Sequence, residues 1–167
     1  GLWSRFHEYI CSKTVLMQPG QLHIISQRWH RDPEDIKLCK VFIYLTDVND
    51  EGDGPLYYIK GSHPGGKFNK VFPQLYPPYG SYPIMEEMSR LIISKQIEET
   101  AVLGSAGTVI FCDTTGLHRG GYSTKNQRTM YTGVYKTDGA FRGYKPRYLL
   151  GNDSASQEEY EGLYKPS

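Results

Sequence analysis

The sequence predicts a mainly β domain, a sandwich or jelly roll with few helices, on three observations. Eight runs rich in Val, Ile, Thr, Tyr and Phe recur along the chain, separated by Gly, Pro, Asp and Asn. One stretch alone has clear helical periodicity. The 167 residues, 38% of them hydrophobic, suffice for one packed core and would be cramped for two. Residues 1–167 are therefore read as a single domain with its core over about 13–137.

Taken in order, the chain opens on Gly1 inside an apolar-aromatic segment, GLWSRFHEYI, which predicts that a longer N-terminal region precedes it in the whole protein. The β runs follow at 13–18 (KTVLMQ), 21–29 (QLHIISQRW), 37–48 (KLCKVFIYLTDV), 55–61 (PLYYIKG), 96–103 (QIEETAVL), 107–113 (GTVIFCD), 117–123 (LHRGGYS) and 128–137 (RTMYTGVYKT). Gly52, Gly54, Gly120 and Gly121 read as turn and bulge glycines. Between the fourth and fifth runs, residues 62–95 carry five prolines and Tyr76, Tyr79 and Tyr82, more than a hairpin needs, and predict a lid over a site. Within that insertion, residues 83–94 (PIMEEMSRLIIS) put Ile84, Met85, Met88, Leu91 and Ile92 on one helical face, with Pro83 suited to the helix start. The tail after Gly139 carries Tyr144, Tyr148, Tyr160 and Tyr164 without a usable period.

Charge narrows the function. Lys and Arg (19) nearly balance Asp and Glu (18), and they are scattered, so there is no electrostatic footprint for nucleic acid or an anionic membrane. A small-molecule substrate is the partner this composition favours. Cys11, Cys39 and Cys112 are odd in number and lack a CxxC spacing, which argues against a disulfide framework and against a zinc finger, and fits a reducing, cytoplasmic location. No apolar run approaches the length of a membrane span. Nothing in the sequence bears on oligomeric state.

The chemistry concentrates in QRWHRDPEDI, residues 27–36. In an extended strand residues i and i+2 share a face, so His30 and Asp32 can offer an imidazole nitrogen and a carboxylate oxygen to one ion. A bare HxD is common by chance, and Asp32 before Pro33 could simply start a turn. A second histidine would complete the two-histidine, one-carboxylate set that leaves positions open at Fe(II). His118 is the leading candidate, and His7, His23 and His63 compete. Arg128, ten residues after His118, opens the next β run and offers a planar fork suited to a carboxylate, although it could equally be a surface arginine. Arg31, between the two ligands, should face away from them in a solvated or supporting role. Trp29 and Phe42 read as core, His23 as a sheet residue and His63 as structural or substrate-facing.

WHRD, then VFIYLTDVNDEGDGPLYYIKGSHPGG, then AGTVIFCDTTGLHRGGYSTKNQR resemble the phytanoyl-CoA dioxygenase family of iron(II) and 2-oxoglutarate-dependent oxygenases over about residues 18–136. The resemblance implies a double-stranded β-helix, the cupin-like form of the jelly roll. It further implies Fe(II) held by His30, Asp32 and His118, with 2-oxoglutarate as cosubstrate, its far carboxylate on Arg128, and dioxygen as oxidant. Related halogenases replace the carboxylate ligand, so the retained Asp32 points to hydroxylation of a small organic substrate. Where the family often has Ser two residues after the distal histidine, this chain has Gly120; Gln18 and Tyr44 are the candidate replacements as cosubstrate anchors. The rival readings are a cupin-like metalloenzyme that does not use 2-oxoglutarate, with no need of Arg128, and a non-enzymatic jelly-roll binding module using residues 72–82 (FPQLYPPYGSY) as its platform.

Overall fold

In the computed structural model, residues 5–14, 16–18, 25–75 and 79–137 are described. They form β1 (Arg5–Lys13), a 3-10 turn (Ile25–Gln27), β2 (Leu38–Tyr44), β3 (Leu56–Ile59), α1 (Met85–Ile93), β4 (Glu99–Val102), β5 (Val109–Cys112), β6 (His118–Gly120) and β7 (Thr129–Lys136). The larger sheet has the order β1-β7-β2-β5 and the smaller one β4-β3-β6, with antiparallel pairing throughout. From β4 to β7 the chain crosses between the two sheets at every step, the winding of a double-stranded β-helix. None of the described helices is long and apolar enough to cross a membrane.

Alternation along the strands makes two cores. Phe42 and Tyr44 of β2, Leu56 of β3, Cys112 of β5 and Met130 of β7 point between the sheets and form the inner core with Val48. Tyr57 and Ile59, of opposite parity on β3, point outward and pack with Trp29, Met88, Ile97 and Leu117. This outer core lies beneath α1, whose Met88 is fully buried. The insertion at 62–95 is thus seated on the back of the smaller sheet through its helix. Ile84, expected on the packed face, is 62% exposed because it precedes the helix in an extended conformation.

The predicted β runs from residue 37 onward become β2 to β7, shorter than expected because the pairing ends at turns. The first two differ. β1 lies earlier, at Arg5–Lys13, where it covers one side of β7. Residues 14 and 16–18 instead run as an extended connection, with Thr14 N donating to Arg128 O and Met17 N to Ser123 O. Residues 25–27 close a 3-10 turn, and only His30 and Arg31 make bridges beyond it, to His118 and Ser81. Gly54 accounts for one turn: its φ is +72°, and a Cβ there would meet Ser123 Oγ at 2.6 Å. Only glycine lets this backbone reach the β6–β7 connection.

Candidate metal centre

His30 and His118 come together because their backbones are mutual partners. His30 N donates to His118 O at 3.0 Å and His118 N to His30 O at 3.1 Å. Residues paired in this way send their side chains to one face, and the ring centroids lie 4.3 Å apart. Asp32, two residues along from His30, is fixed by its own N–H donating to Thr114 O and by Gln74 Nε2 donating to its carbonyl. Its carboxylate oxygens lie 3.6 Å from His30 Nε2 and 3.4 Å from His118 Nε2. One ligand atom from each of the three residues falls within 4.8 Å of the others, and all three residues are buried.

The tautomers follow from the backbone. His30 Nδ1 lies 2.7 Å from Arg28 O and His118 Nδ1 lies 2.9 Å from Gly116 O. A carbonyl can only accept, so Nδ1 carries the proton in each ring and Nε2 presents its lone pair toward Asp32. Burial, helped by the neighbouring His118, pushes His30 down to about 4, so its ring is neutral at ordinary pH. Burial alone would raise the Asp32 carboxyl, but His118 and Lys40 more than offset it and hold it well below the usual range. Two imidazoles that turn Nε2 toward one carboxylate in a buried pocket are a donor set suited to a divalent transition metal such as Fe(II).

Immediately before β7, Arg128 is 6% exposed. One guanidinium nitrogen donates to Gly54 O, the carbonyl that the left-handed turn presents. The guanidinium carbon lies 6.0 Å from the centre of the fully buried Tyr44 ring. Its buried Nε has no hydrogen-bond partner among the described residues. Tyr44 is saturated instead: its hydroxyl donates to Val102 O at 2.8 Å and accepts from Leu56 N at 3.0 Å. A Cβ at Gly120 would stand 3.3 Å from Ser26 O and 4.0 Å from Arg128 Nη2, so the glycine sits close between the 3-10 turn and the guanidinium. Gln18 is exposed on the connection after β1.

Of the two roles expected for Arg31, solvated or supporting, its contacts fit the second. It is fully buried, and its guanidinium donates to Phe72 O (2.7 Å), Ser62 O (2.5 Å), Thr115 O (2.6 Å) and Val71 O (3.1 Å). Those carbonyls belong to three segments: the loop after β3, the 71–72 stretch of the insertion and the turn before His118. Burial lowers Arg31 to about 10, opposed by Tyr58 and Asp113, so it stays cationic at neutral pH. Trp29 and Phe42 are core, as read from the sequence. His63 is half-buried on its loop, with Nδ1 3.0 Å from Pro64 O, and is not among the clustered ligand atoms. The side chain of His7, and His23 altogether, lie outside the described residues. Of two further neighbours of the site, Lys40 was not singled out from the sequence and Tyr82 was named only among the tyrosines of the insertion. Lys40 places Nζ 2.7 Å from Asp32 Oδ2. Tyr82, 48% exposed, stacks on His30 with centroids 6.2 Å apart and planes 15° apart.

Fold and site together define a cupin-like double-stranded β-helix with a candidate two-histidine, one-carboxylate centre. The model of the phytanoyl-CoA dioxygenase (PhyH) family matches residues 2–130, and the chain belongs to that family. Among solved structures, it resembles the non-heme alpha ketoglutarate dependent carbocyclase SnoK from nogalamycin biosynthesis, at 18% identity and TM-score 0.57 over 99% of this chain and 58% of that one. It also resembles EctD from S. alaskensis with bound Fe, at 21% identity and TM-score 0.56 over 86% of this chain and 48% of that one. A third is HygX from Streptomyces hygroscopicus with nickel and 2-oxoglutarate bound, at 14% identity and TM-score 0.51 over 93% and 66%. At these identities the likeness shows the fold, and the chain spans only part of each longer protein. No curated protein sequence matches the chain significantly.

Proposed function

We propose that the protein is an Fe(II)- and 2-oxoglutarate-dependent dioxygenase that hydroxylates a small organic molecule. The observation that carries this reading is the pairing of a buried three-ligand cluster with a buried arginine whose donors are incompletely used. In this reading His30, Asp32 and His118 hold the metal. Their tautomers and charge are set before it arrives, by the Arg28 and Gly116 carbonyls and by the ion pair at Asp32. Bound iron, with 2-oxoglutarate and dioxygen, supplies the oxidising power to functionalise an unactivated C–H bond. Arg128 receives the far carboxylate of the cosubstrate through its spare donor, and Tyr44 walls its pocket. Gln18, exposed on the connection after β1, is the weaker candidate for a second anchor.

The insertion at 62–95 serves as the lid in this reading, and Tyr82 is its part that meets the ligand cluster. Asp32 keeps a carboxylate where a smaller ligand would leave room for a halide, which supports hydroxylation. Two solved structures of this fold are named as an alpha ketoglutarate dependent epimerase and carbocyclase, so in those proteins the fold serves reactions other than hydroxylation. Anaerobic addition of Fe(II) and then 2-oxoglutarate tests the proposal through the weak visible charge-transfer band of a chelated keto acid. The band should form with wild type and with His63→Ala. It should be absent in His30→Ala, Asp32→Ala and His118→Ala, which should fail to retain iron. A wild type that binds iron but gives no band would leave the cupin-like reading without 2-oxoglutarate.

A further inference from the structure

We infer that Lys40 is a positioning residue that anchors one oxygen of Asp32 and so limits this carboxylate to a single coordinating oxygen; this rests on the metal reading above. Lys40 lies on β2 between Leu38 and Phe42, in the register that faces the space between the sheets, and its neighbours of the same parity are 4% and 5% exposed. A lysine in such a stripe is costly unless its charge is met. It is met by Asp32 Oδ2 at 2.7 Å and by Glu34 Oε1 at 3.4 Å, with the Lys40 side chain only 14% exposed. The anchor is held by charge, because no hydrogen-bond donor is well aligned on Oδ2.

The carboxylate straddles the two histidines, Oδ1 toward His30 and Oδ2 toward His118. Left to itself, such a group can chelate a divalent ion through both oxygens and take a fourth position. An ammonium against Oδ2 competes for that oxygen. Three protein atoms then hold the metal, and the remaining positions stay available to a chelating cosubstrate and a third ligand. Glu34 has a separate part: its Oε1 accepts from the same ammonium at 3.4 Å.

The test uses Co(II) as the probe, with wild type, Lys40→Met and Lys40→Gln, all confirmed folded by their unfolding midpoints. Both variants lack the charge, and Gln retains a neutral donor, so failure of one to fold leaves the other informative. The expected result is that the variants bind Co(II) at least as tightly as wild type, because a repelling cation has gone. Their ligand-field spectrum should change, and 2-oxoglutarate affinity of the Co(II) protein should fall about 10- to 100-fold. An unchanged spectrum, with or without loss of 2-oxoglutarate affinity, overturns the inference; with loss, Lys40 would act on the cosubstrate directly. Failure of wild type itself to take up Co(II) overturns the metal reading, and this inference with it.

Discussion

Two buried arginines, Arg31 between the ligands His30 and Asp32 in sequence and Arg128 before β7, differ in how their donors are used. All three guanidinium nitrogens of Arg31 meet backbone carbonyls, gathered from the loop after β3, the insertion and the turn before His118. Arg128 meets the Gly54 carbonyl and the Tyr44 ring, and its Nε is left buried and unmatched among the described residues. A buried cation with every guanidinium nitrogen bonded to backbone holds that backbone together. One with donors to spare is arranged for a charge that arrives later. Burial alone does not separate the two, since they are 0% and 6% exposed; the count of satisfied donors does.

The sharpest way to break this contrast is to unfold the metal-free protein in urea. Arg31→Met strands several buried carbonyls at once and should cost about 3–5 kcal/mol, whereas Arg128→Met should cost about 1 kcal/mol. Equal losses would erase the distinction. Next in size is a pH effect that involves neither arginine, since both stay cationic through mildly acidic pH. His30 titrates near 4 when folded and near 6.5 when unfolded, so above pH 6.5 both states are neutral. As pH falls from 6.5 to 4 the unfolded state alone takes up the His30 proton, which should cost the metal-free protein about 3 kcal/mol of stability over that window; below it the His30 contribution is constant and the depressed Asp32 carboxyl becomes the group whose protonation costs stability. Urea midpoints at stepped pH would show it, and His30→Gln should remove it.

Arg128→Gln should weaken 2-oxoglutarate binding to the Fe(II)-loaded protein by about 1.5–3 kcal/mol, roughly 10- to 100-fold, while iron binding is unchanged. Anaerobic titration of both proteins measures this, and identical dissociation constants would return Arg128 to the structural class. The smallest effect is expected of Tyr44→Phe. It strands Val102 O and Leu56 N without altering any charge, so about 1 kcal/mol of stability should go, and 2-oxoglutarate affinity should shift by severalfold at most. A larger loss of affinity than in Arg128→Gln would make the tyrosine the principal anchor.

The contrast between these arginines also marks what the sequence can disclose. His30 and Asp32 share a face by strand geometry, but spacing left His118 as the leading one of four histidines and Arg128 as an arginine that could lie on the surface; the full set came from the resemblance to the family. β2 to β7 were legible from alternation and turn residues. Arg31 was not, because no side-chain pattern says which backbone carbonyls will converge on a point; an arginine between two ligands reads the same whether solvated or saturated. Lys40 was hidden likewise, as an isolated lysine in an apolar run resembles an edge-strand charge until the fold brings Asp32, on the segment before β2, against it. β1 was missed because the opening segment carries no turn signal, and its strand character comes from pairing with β7, more than a hundred residues away.

The reciprocal bond between His30 and His118 has a consequence in time. Each amide hydrogen is held by the other ligand's carbonyl, so neither can exchange with solvent until the two ligand-bearing segments separate. The exchange rates of these two amides are therefore a clock for the opening of the site, readable without metal, cosubstrate or turnover. If the segments part as one unit the two amides exchange at a common rate, and any ion that clamps the rings slows both by the same factor.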